Sequence, residues 1–224
     1  PDSTSSNYIF VYGESGNGSY DHIHLNKTHH WLKDGAPYRL TDNIMVWEYT
    51  QTTENLSILK IHPGVVVAFE QDKNIYVGHD SDSRHVGALQ ADSVTFTSVD
   101  ESVTGGHIMF RNFSKDDESY INECIIENMD DGVYCASSDP TITNNIFRYN
   151  IDGVEANSDS EPILIGNTFI ENSRPVSIYA ARIDSNLHDN AYLDNTKNYI
   201  EVQADHVNEN KVHDWLADGA AYVI

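Results

Sequence analysis

The chain is short of positive charge. Thirteen lysines and arginines stand against 35 aspartates and glutamates, giving a formal net charge of −22 over 224 residues. A surface of that sign repels phosphate backbones and anionic headgroups, which argues against nucleic acid and membrane surfaces as partners. No stretch approaches the ~20 apolar residues of a membrane-spanning helix. Neither a nucleophile elbow, Gly-x-Ser-x-Gly, nor a phosphate-cradling glycine loop occurs, so nucleophilic catalysis and nucleotide binding have no sequence support. Cysteine is nearly absent: Cys124 and Cys135 could close one disulfide. Strand parity places Ile125 inward, hence Cys124 outward and Cys135 inward, so two free thiols are expected.

What is present is an asparagine with a beat. Asn145-Ile-Phe-Arg-Tyr-Asn150, Asn167-Thr-Phe-Ile-Glu-Asn172 and Asn190-Ala-Tyr-Leu-Asp-Asn195 share the pattern Asn-x-aromatic-x-x-Asn, and Glu123-Cys-Ile-Ile-Glu-Asn128 fits with one substitution. The starts step by 22, 22 and 23 residues. Such a period marks a solenoid of stacked coils. The predicted fold is all-β: a right-handed parallel β-helix with about 22 residues per coil, divided into three short strands and three bends. Runs such as Ile44–Trp47, Leu56–Ile61, Val65–Phe69, Ile75–Val77, Ala88–Ala91, Val94–Thr97 and His107–Phe110 supply the earlier strands. Each is too short for a buried helix and is flanked by turn formers. Stacked asparagines are expected to hydrogen-bond along the axis, and Phe147, Phe169 and Tyr192 to form an inner column continued by Ile125. Asp80–His85 and Ser114–Ser119 read as polar loops that break the rhythm.

The two ends repeat each other. Asn7-Tyr-Ile-Phe-Val11 matches Asn198-Tyr-Ile-Glu-Val202, and Trp31-Leu-Lys-Asp-Gly-Ala-Pro-Tyr38 matches Trp215-Leu-Ala-Asp-Gly-Ala-Ala-Tyr222. The reading is a β-helix over 44–197 between related elements at 1–43 and 198–224. Either the chain comes from a tandem array, or each subunit docks head to tail on the next, because an open solenoid end exposes unpaired strand edges. The expected self-assembly residues are Tyr8, Ile9, Val11, Trp31 and Tyr38 at one end and Tyr199, Ile200, Val202, Trp215 and Tyr222 at the other. The competing reading makes them ordinary end-coil core.

These motifs, with the run Leu56-Ser-Ile-Leu-Lys-Ile-His-Pro-Gly-Val65, resemble the right-handed parallel β-helix repeat proteins of the pectate-lyase-like superfamily. Within it they look like modules of large bacterial and archaeal surface proteins. The resemblance covers most of the chain and implies fold more than function, because the superfamily contains lyases, hydrolases, adhesins and spacers. Lyase-like relatives imply Ca²⁺ held by carboxylates beside an arginine, and hydrolase-like relatives imply paired aspartates with an Arg-x-Lys signature. Here Asp130, Asp131 and Asp152 are the nearest to such a set, but Arg-x-Lys is missing and Asp-Gly favours turns. Arg148 and Arg182 are the candidate bases, yet no acid cluster points to either.

No cofactor is required on this reading. Ca²⁺ is a candidate ion, through Asp80, Asp82, Asp116, Asp117 and Glu118 in the two acidic loops. His22, His24, His29 and His30 would suit a transition metal if they shared a face. N-glycosylation sequons at Asn17, Asn26, Asn55 and Asn112 mildly favour an exported protein, since they also arise by chance in such a composition, and the start at Pro1 fits a processed terminus or an arbitrary boundary equally; the expected location is extracellular or cell-surface. The function read from the sequence is an extracellular structural protein whose partner is itself. The alternative is a polysaccharide-binding or polysaccharide-degrading domain presenting Trp47, Tyr49, Tyr134 and Tyr179 to sugar.

Overall fold

The computed structural model describes residues 8–11, 20–22, 27–49, 56–100, 102, 104–204 and 212–224. Short strands stack in parallel into three sheets, and the chain visits them in a fixed order, coil after coil. Among the described residues sheet A has eight strands, from Ile9–Val11 and Tyr38–Leu40 through Val66–Phe69 up to Thr168–Ile170 and Ala191–Leu193. Sheet B has nine described strands, from Tyr20–His22 and Asn43–Val46 through Asp131–Ala136, Asp152–Ala156 and Arg174–Tyr179 to Tyr199–Gln203 and Ala221–Val223. Sheet C runs from Thr28–Trp31 and Ser57–Ile61 to Leu187–His188, with Glu48–Tyr49 added antiparallel to His85–Asp92. Among the described residues the only helices are two single turns, Asp116–Glu118 and Ala180–Arg182. The first falls in one of the predicted loops. The described strands Ile9–Val11, Tyr20–His22, Thr28–Trp31 and Tyr38–Leu40 extend the same three sheets.

Alternation within each strand separates core from surface. Val133, Val154, Val176 and Ile200 are in register in sheet B and fully buried, while Tyr134, Glu155, Ser177 and Glu201 beside them lie on the opposite face. In sheet A the inner column is Val67, Phe96, Ile126, Phe147, Phe169 and Tyr192. Phe147 and Phe169 stack with centroids 5.0 Å apart at 14°, and Phe169 and Tyr192 at 5.3 Å and 12°. Gly132 and Gly153 make room for this column, since a Cβ on Gly153 would stand 2.8 Å from Phe169 Cδ1. Asp131-Gly132 and Asp152-Gly153 therefore begin strands rather than forming the turns expected of Asp-Gly.

The asparagine ladders follow from the bends. The residue just before each inward corner has positive φ: Ser93, Glu123, Asn144, Gly166 and Asp189 in one column, Asn128, Tyr149, Glu171 and Asp194 in another. A left-handed residue turns the chain sharply and takes the next N–H out of the sheet ladder. The side chain one coil above accepts it. Asn145 N–H donates to Asn167 Oδ1 at 3.0 Å, Asn167 N–H to Asn190 Oδ1 at 2.8 Å, and Asn190 N–H to Asp218 Oδ1 at 2.8 Å. The second ladder runs Met129, Asn150, Asn172, Asn195 in the same way. Each side-chain amide also donates back to a carbonyl, as Asn167 Nδ2 does to Ile142 O. The buried amides are thereby paired.

The first cysteine and its neighbour depart from the expected parity. Cys124 is 1% exposed, not outward, and Ile126 rather than Ile125 lies beneath Phe147. The coil below Asn145 is one residue shorter than the motif spacing suggests, and a one-residue slip flips every side chain. Cys124 occupies the ladder position itself: its N–H donates to Asn145 Oδ1, and Val94 N–H donates to its sulfur. Cys135 faces inward as read, and both thiols are free. Burial pushes the Cys124 thiol up to about 12 and that of Cys135 well above its ordinary value, so both stay protonated and unreactive.

Candidate functional site

The outer face of sheet B gathers the densest chemistry. Register places Asp131, Asp152 and Arg174 one above another, with Tyr134, Glu155, Ser177 and Glu201 in the adjacent column. Arg174 grips Asp152 with two parallel bonds, Nε to Oδ1 at 2.7 Å and Nη2 to Oδ2 at 2.6 Å. It also reaches Glu155 at 3.0 Å and Glu201 at 2.6 Å, and Lys197 adds a second cation to Glu201 at 3.1 Å. One guanidinium thus ties together three successive coils, the planar many-donor role that suits arginine. Its bonds hold the Glu201 carboxyl below the ordinary range, while burial raises Glu155.

Asp131 is the unbalanced member. One oxygen each of Asp131, Asp152 and Glu155 lie within 4.8 Å of one another, and Arg174 is spent on the other two. His107 Nδ1 is 3.7 Å from Asp131 Oδ2, beyond hydrogen-bond reach, and burial lowers the His107 pKa so that the ring tends to neutrality. Burial first, then the negative charges of Glu155, Asp130 and Asp152, push the Asp131 carboxyl up to about 7. Because the folded-state pKa lies above the unfolded value, the folded form binds this proton more tightly. The group's contribution to stability is therefore greatest below the ordinary aspartate pKa and is lost as pH rises through about 7. Asp131→Asn removes that dependence. Its stability relative to the parent should grow by about 2 kcal/mol between roughly pH 5 and pH 8, after allowing for solvent screening, in urea denaturation. An equal offset at both pH values would contradict it.

The other candidates are dispersed. Asp82 engages Arg84 at 2.7 Å, Asp80 pairs with Arg111 at 3.2 Å and Asp117 with Lys115 at 2.8 Å. Asp116 accepts from Ser114 Oγ at 2.5 Å, and Glu118 from Gln90 at 3.4 Å. Among the described residues, the one carboxylate group that converges is Asp131, Asp152 and Glu155, not the two acidic loops. Arg148 pairs with Glu127, and Arg182 reaches Ser158 O, Asp159 and Glu161. Arg174, the arginine that does face the acids, has no sequence mark of its own: only the coil register reveals it. His30 Nδ1 lies 2.8 Å from His62 Nε2, while its neighbour His29 is half-buried. His24 and the His22 side chain lie outside the described residues. Trp47 is 6% exposed, enclosed by His79 and Arg111, so it is no sugar platform. Tyr134 and Tyr179 are half-buried on the outer face of sheet B, and the Tyr49 side chain lies outside the described set. Asn112 is exposed, while Asn17, Asn26 and Asn55 fall outside the described residues.

The ends are duplicates in structure as well as in sequence. Ile9 is registered on Tyr38, and its counterpart Ile200 on Tyr222. Tyr38 Oη donates to Leu32 O at 3.0 Å, and Tyr222 Oη to Leu216 O at 2.8 Å. Trp31 stacks on Tyr38 at 4.9 Å, and Trp215 lies over Tyr222 at 5.2 Å. Gly35 and Gly219 turn at φ +76° and +73°. Tyr8, Ile9, Val11, Trp31 and Tyr38 are all half-buried. At the other end Ile200 and Val202 are buried, Tyr199 and Tyr222 are half-buried, and Trp215 is exposed.

Three stacked parallel sheets around a single core define a parallel β-helix. Residues 74–222 match the family model described as a right-handed beta helix region, and the chain belongs to that family. No curated protein and no solved structure matches the chain.

Proposed function

We propose that this chain is an extracellular structural unit, a stiff β-helix that joins copies of itself end to end into a filament, sheath or surface layer. The observation that carries this reading is the duplicated terminal element, with the same strand register, tyrosine hydrogen bond and ring contact at both ends. Duplication of an end is what a head-to-tail assembly reuses. The acidic surface keeps such a rod hydrated and separated from its neighbours, and Ca²⁺ is the cation proposed to bridge rods laterally.

One molecule should span roughly 40 Å along its axis, from about eight coils at ~4.8 Å each. Negative-stain micrographs of concentrated protein, with and without Ca²⁺, should show rods several times that length. Particles of one molecule's size at every concentration would overturn the reading.

A second reading is supported by the sheet B face. A carboxylic acid poised near neutrality beside two carboxylates and half-exposed tyrosines is a pattern used in glycoside cleavage. It predicts release of reducing or unsaturated sugars from a panel of neutral and acidic polysaccharides, abolished by Asp131→Asn. Full activity in that variant, or none in the parent, would remove it.

A further inference from the structure

Two histidines on the outer side of sheet C face each other across a coil boundary. His30 Nδ1 lies 2.8 Å from His62 Nε2, with ring centroids 5.1 Å apart at 39°. They are 32 residues apart in sequence, and only coil stacking brings them together. Within Thr28–Trp31 the side chains alternate. His29 and Trp31 are half-buried, opposite the buried Leu59 and Ile61, while Thr28 and His30 are exposed. His29 and His30 therefore point to opposite faces of one strand and cannot share an ion, although they are neighbours in sequence. The partner of His30 comes from the next coil.

Backbone contacts fix both residues. His30 sits in a strand whose four residues all pair with Ser57–Ile61. His62 directly follows that second strand: its N–H donates to Trp31 O at 3.0 Å, and its carbonyl accepts from Val65 N–H at 3.2 Å. Pro63 and Gly64 take the two central places of this turn, with Gly64 at φ +77°, as a type II turn requires. Proline holds its own φ, and Gly64 N–H is tied to Ser93 O at 2.8 Å, so the turn that carries His62 is stiff. Among the described residues neither ring has a second hydrogen-bond, ion-pair or ring partner. Lys60 stands opposite His30, and Asp92 stands one coil above His62, so the flanking charges are of opposite sign.

We infer that His30 Nδ1 and His62 Nε2 form a two-nitrogen site for a divalent transition metal that prefers square or tetragonal geometry, Cu²⁺ or Ni²⁺, with water in the remaining positions. Imidazole nitrogens suit these ions. Two nitrogens held at ~2.1 Å from one ion stand roughly 3.0 Å apart when they meet it at a right angle, and roughly 3.4 Å apart at the tetrahedral angle that Zn²⁺ favours. The observed 2.8 Å falls on the right-angle side. Without an ion, one ring donates its N–H to the other. When the ion enters, that proton moves through solvent to the far nitrogen of the same ring, so both facing nitrogens offer lone pairs and both rings stay neutral, as ligation requires. The ion then clasps Thr28–Trp31 to the coil above it from outside. The site needs neither end-to-end assembly nor the sheet B acids.

Calorimetric titration of the full chain with Cu²⁺, in a buffer without chelating groups, should show one preferred ion per chain. His30→Gln and His62→Gln should each weaken it by about tenfold or more, since even an outer partner of a metal ligand is worth that much. His188→Gln should leave it unchanged, because that histidine lies on a distant coil against Asp189 at 2.8 Å. Electron paramagnetic resonance of the Cu²⁺ form should show coupling to two imidazole nitrogens, reduced to one in either variant. The spectrum of the parent decides the matter even where a variant fails to fold. Affinity should fall in the order Cu²⁺, Ni²⁺, Zn²⁺. A Cu²⁺ site that survives both substitutions, binding spread evenly over several histidines, or a single coordinated nitrogen in the parent would leave His30 and His62 as a hydrogen-bonded pair only and overturn the site. Zn²⁺ bound more tightly than Ni²⁺ would overturn the square geometry.

Discussion

Asn167→Ala should lower folding free energy by about 3–5 kcal/mol, read by urea denaturation at constant m-value. Asn167 is fully buried and makes its bonds in both directions along the axis. Its Oδ1 accepts from the backbone and the side chain of Asn145, and its Nδ2 donates to Ile142 O and to Asn190 Oδ1. Alanine leaves a backbone N–H, a side-chain amide and a carbonyl without those partners, and each stranded buried group costs roughly 1–3 kcal/mol. Ile146→Ala, on the exposed side of the adjoining strand, should cost well under ~1 kcal/mol. If the two variants were equally stable, the ladder would be an ornament on a fold held by its apolar core alone.

Phe169→Ala should cost a similar amount, about 3–5 kcal/mol, for a different reason. Phe169 lies between Phe147 and Tyr192 in one stack and presses against Gly153, so truncation opens a cavity that neighbouring coils cannot close by shifting sideways. Phe169→Leu should cost only about 1–2 kcal/mol, since Ile126 already fills the same column beneath Phe147. Calorimetry or denaturant titration of the pair separates volume from ring stacking. A leucine variant as weak as the alanine variant would make the stacked geometry, not the filled space, the dominant contribution. Asn167 and Phe169 lie two residues apart, so the double variant should not be additive.

The upper half of the fold is legible in the sequence because a ladder position needs a side chain that both accepts and donates, and asparagine alone is short enough to do so at each corner. Phe147, Phe169 and Tyr192 could be placed on that basis. The lower half hides its rhythm. From Val67 to Phe96 the step is 29 residues, and from Phe96 to Ile126 it is 30, because loops such as Asp80–His85 are inserted between strands. There the corners at Val65 and Val94 hold valine, which leaves no polar mark. Cys124 misled by occupying an asparagine position with a different chemistry. The sheet B acids were visible as Asp131 and Asp152, but Glu155 and Arg174 join them only through register across coils, which a linear reading cannot assign. The terminal repeat was plain in sequence, whereas its displacement from sheet A to sheet B was not, because one missing strand's worth of chain is indistinguishable from a loop.

The confinement of both ladders to the upper coils has a mechanical consequence. Strand hydrogen bonds in a parallel β-helix point along its axis, so tension on a rod pulls them directly apart. Above Cys124 each coil boundary adds side-chain amides in two columns to that resistance, and below it such support is sparser, as where Asn74 N–H donates to Asn43 Oδ1 and His107 N–H to Asn74 Oδ1. The molecule therefore carries a tougher segment and a yielding one in fixed order, and a fibre of the kind proposed would stretch at evenly spaced points instead of snapping at a random one.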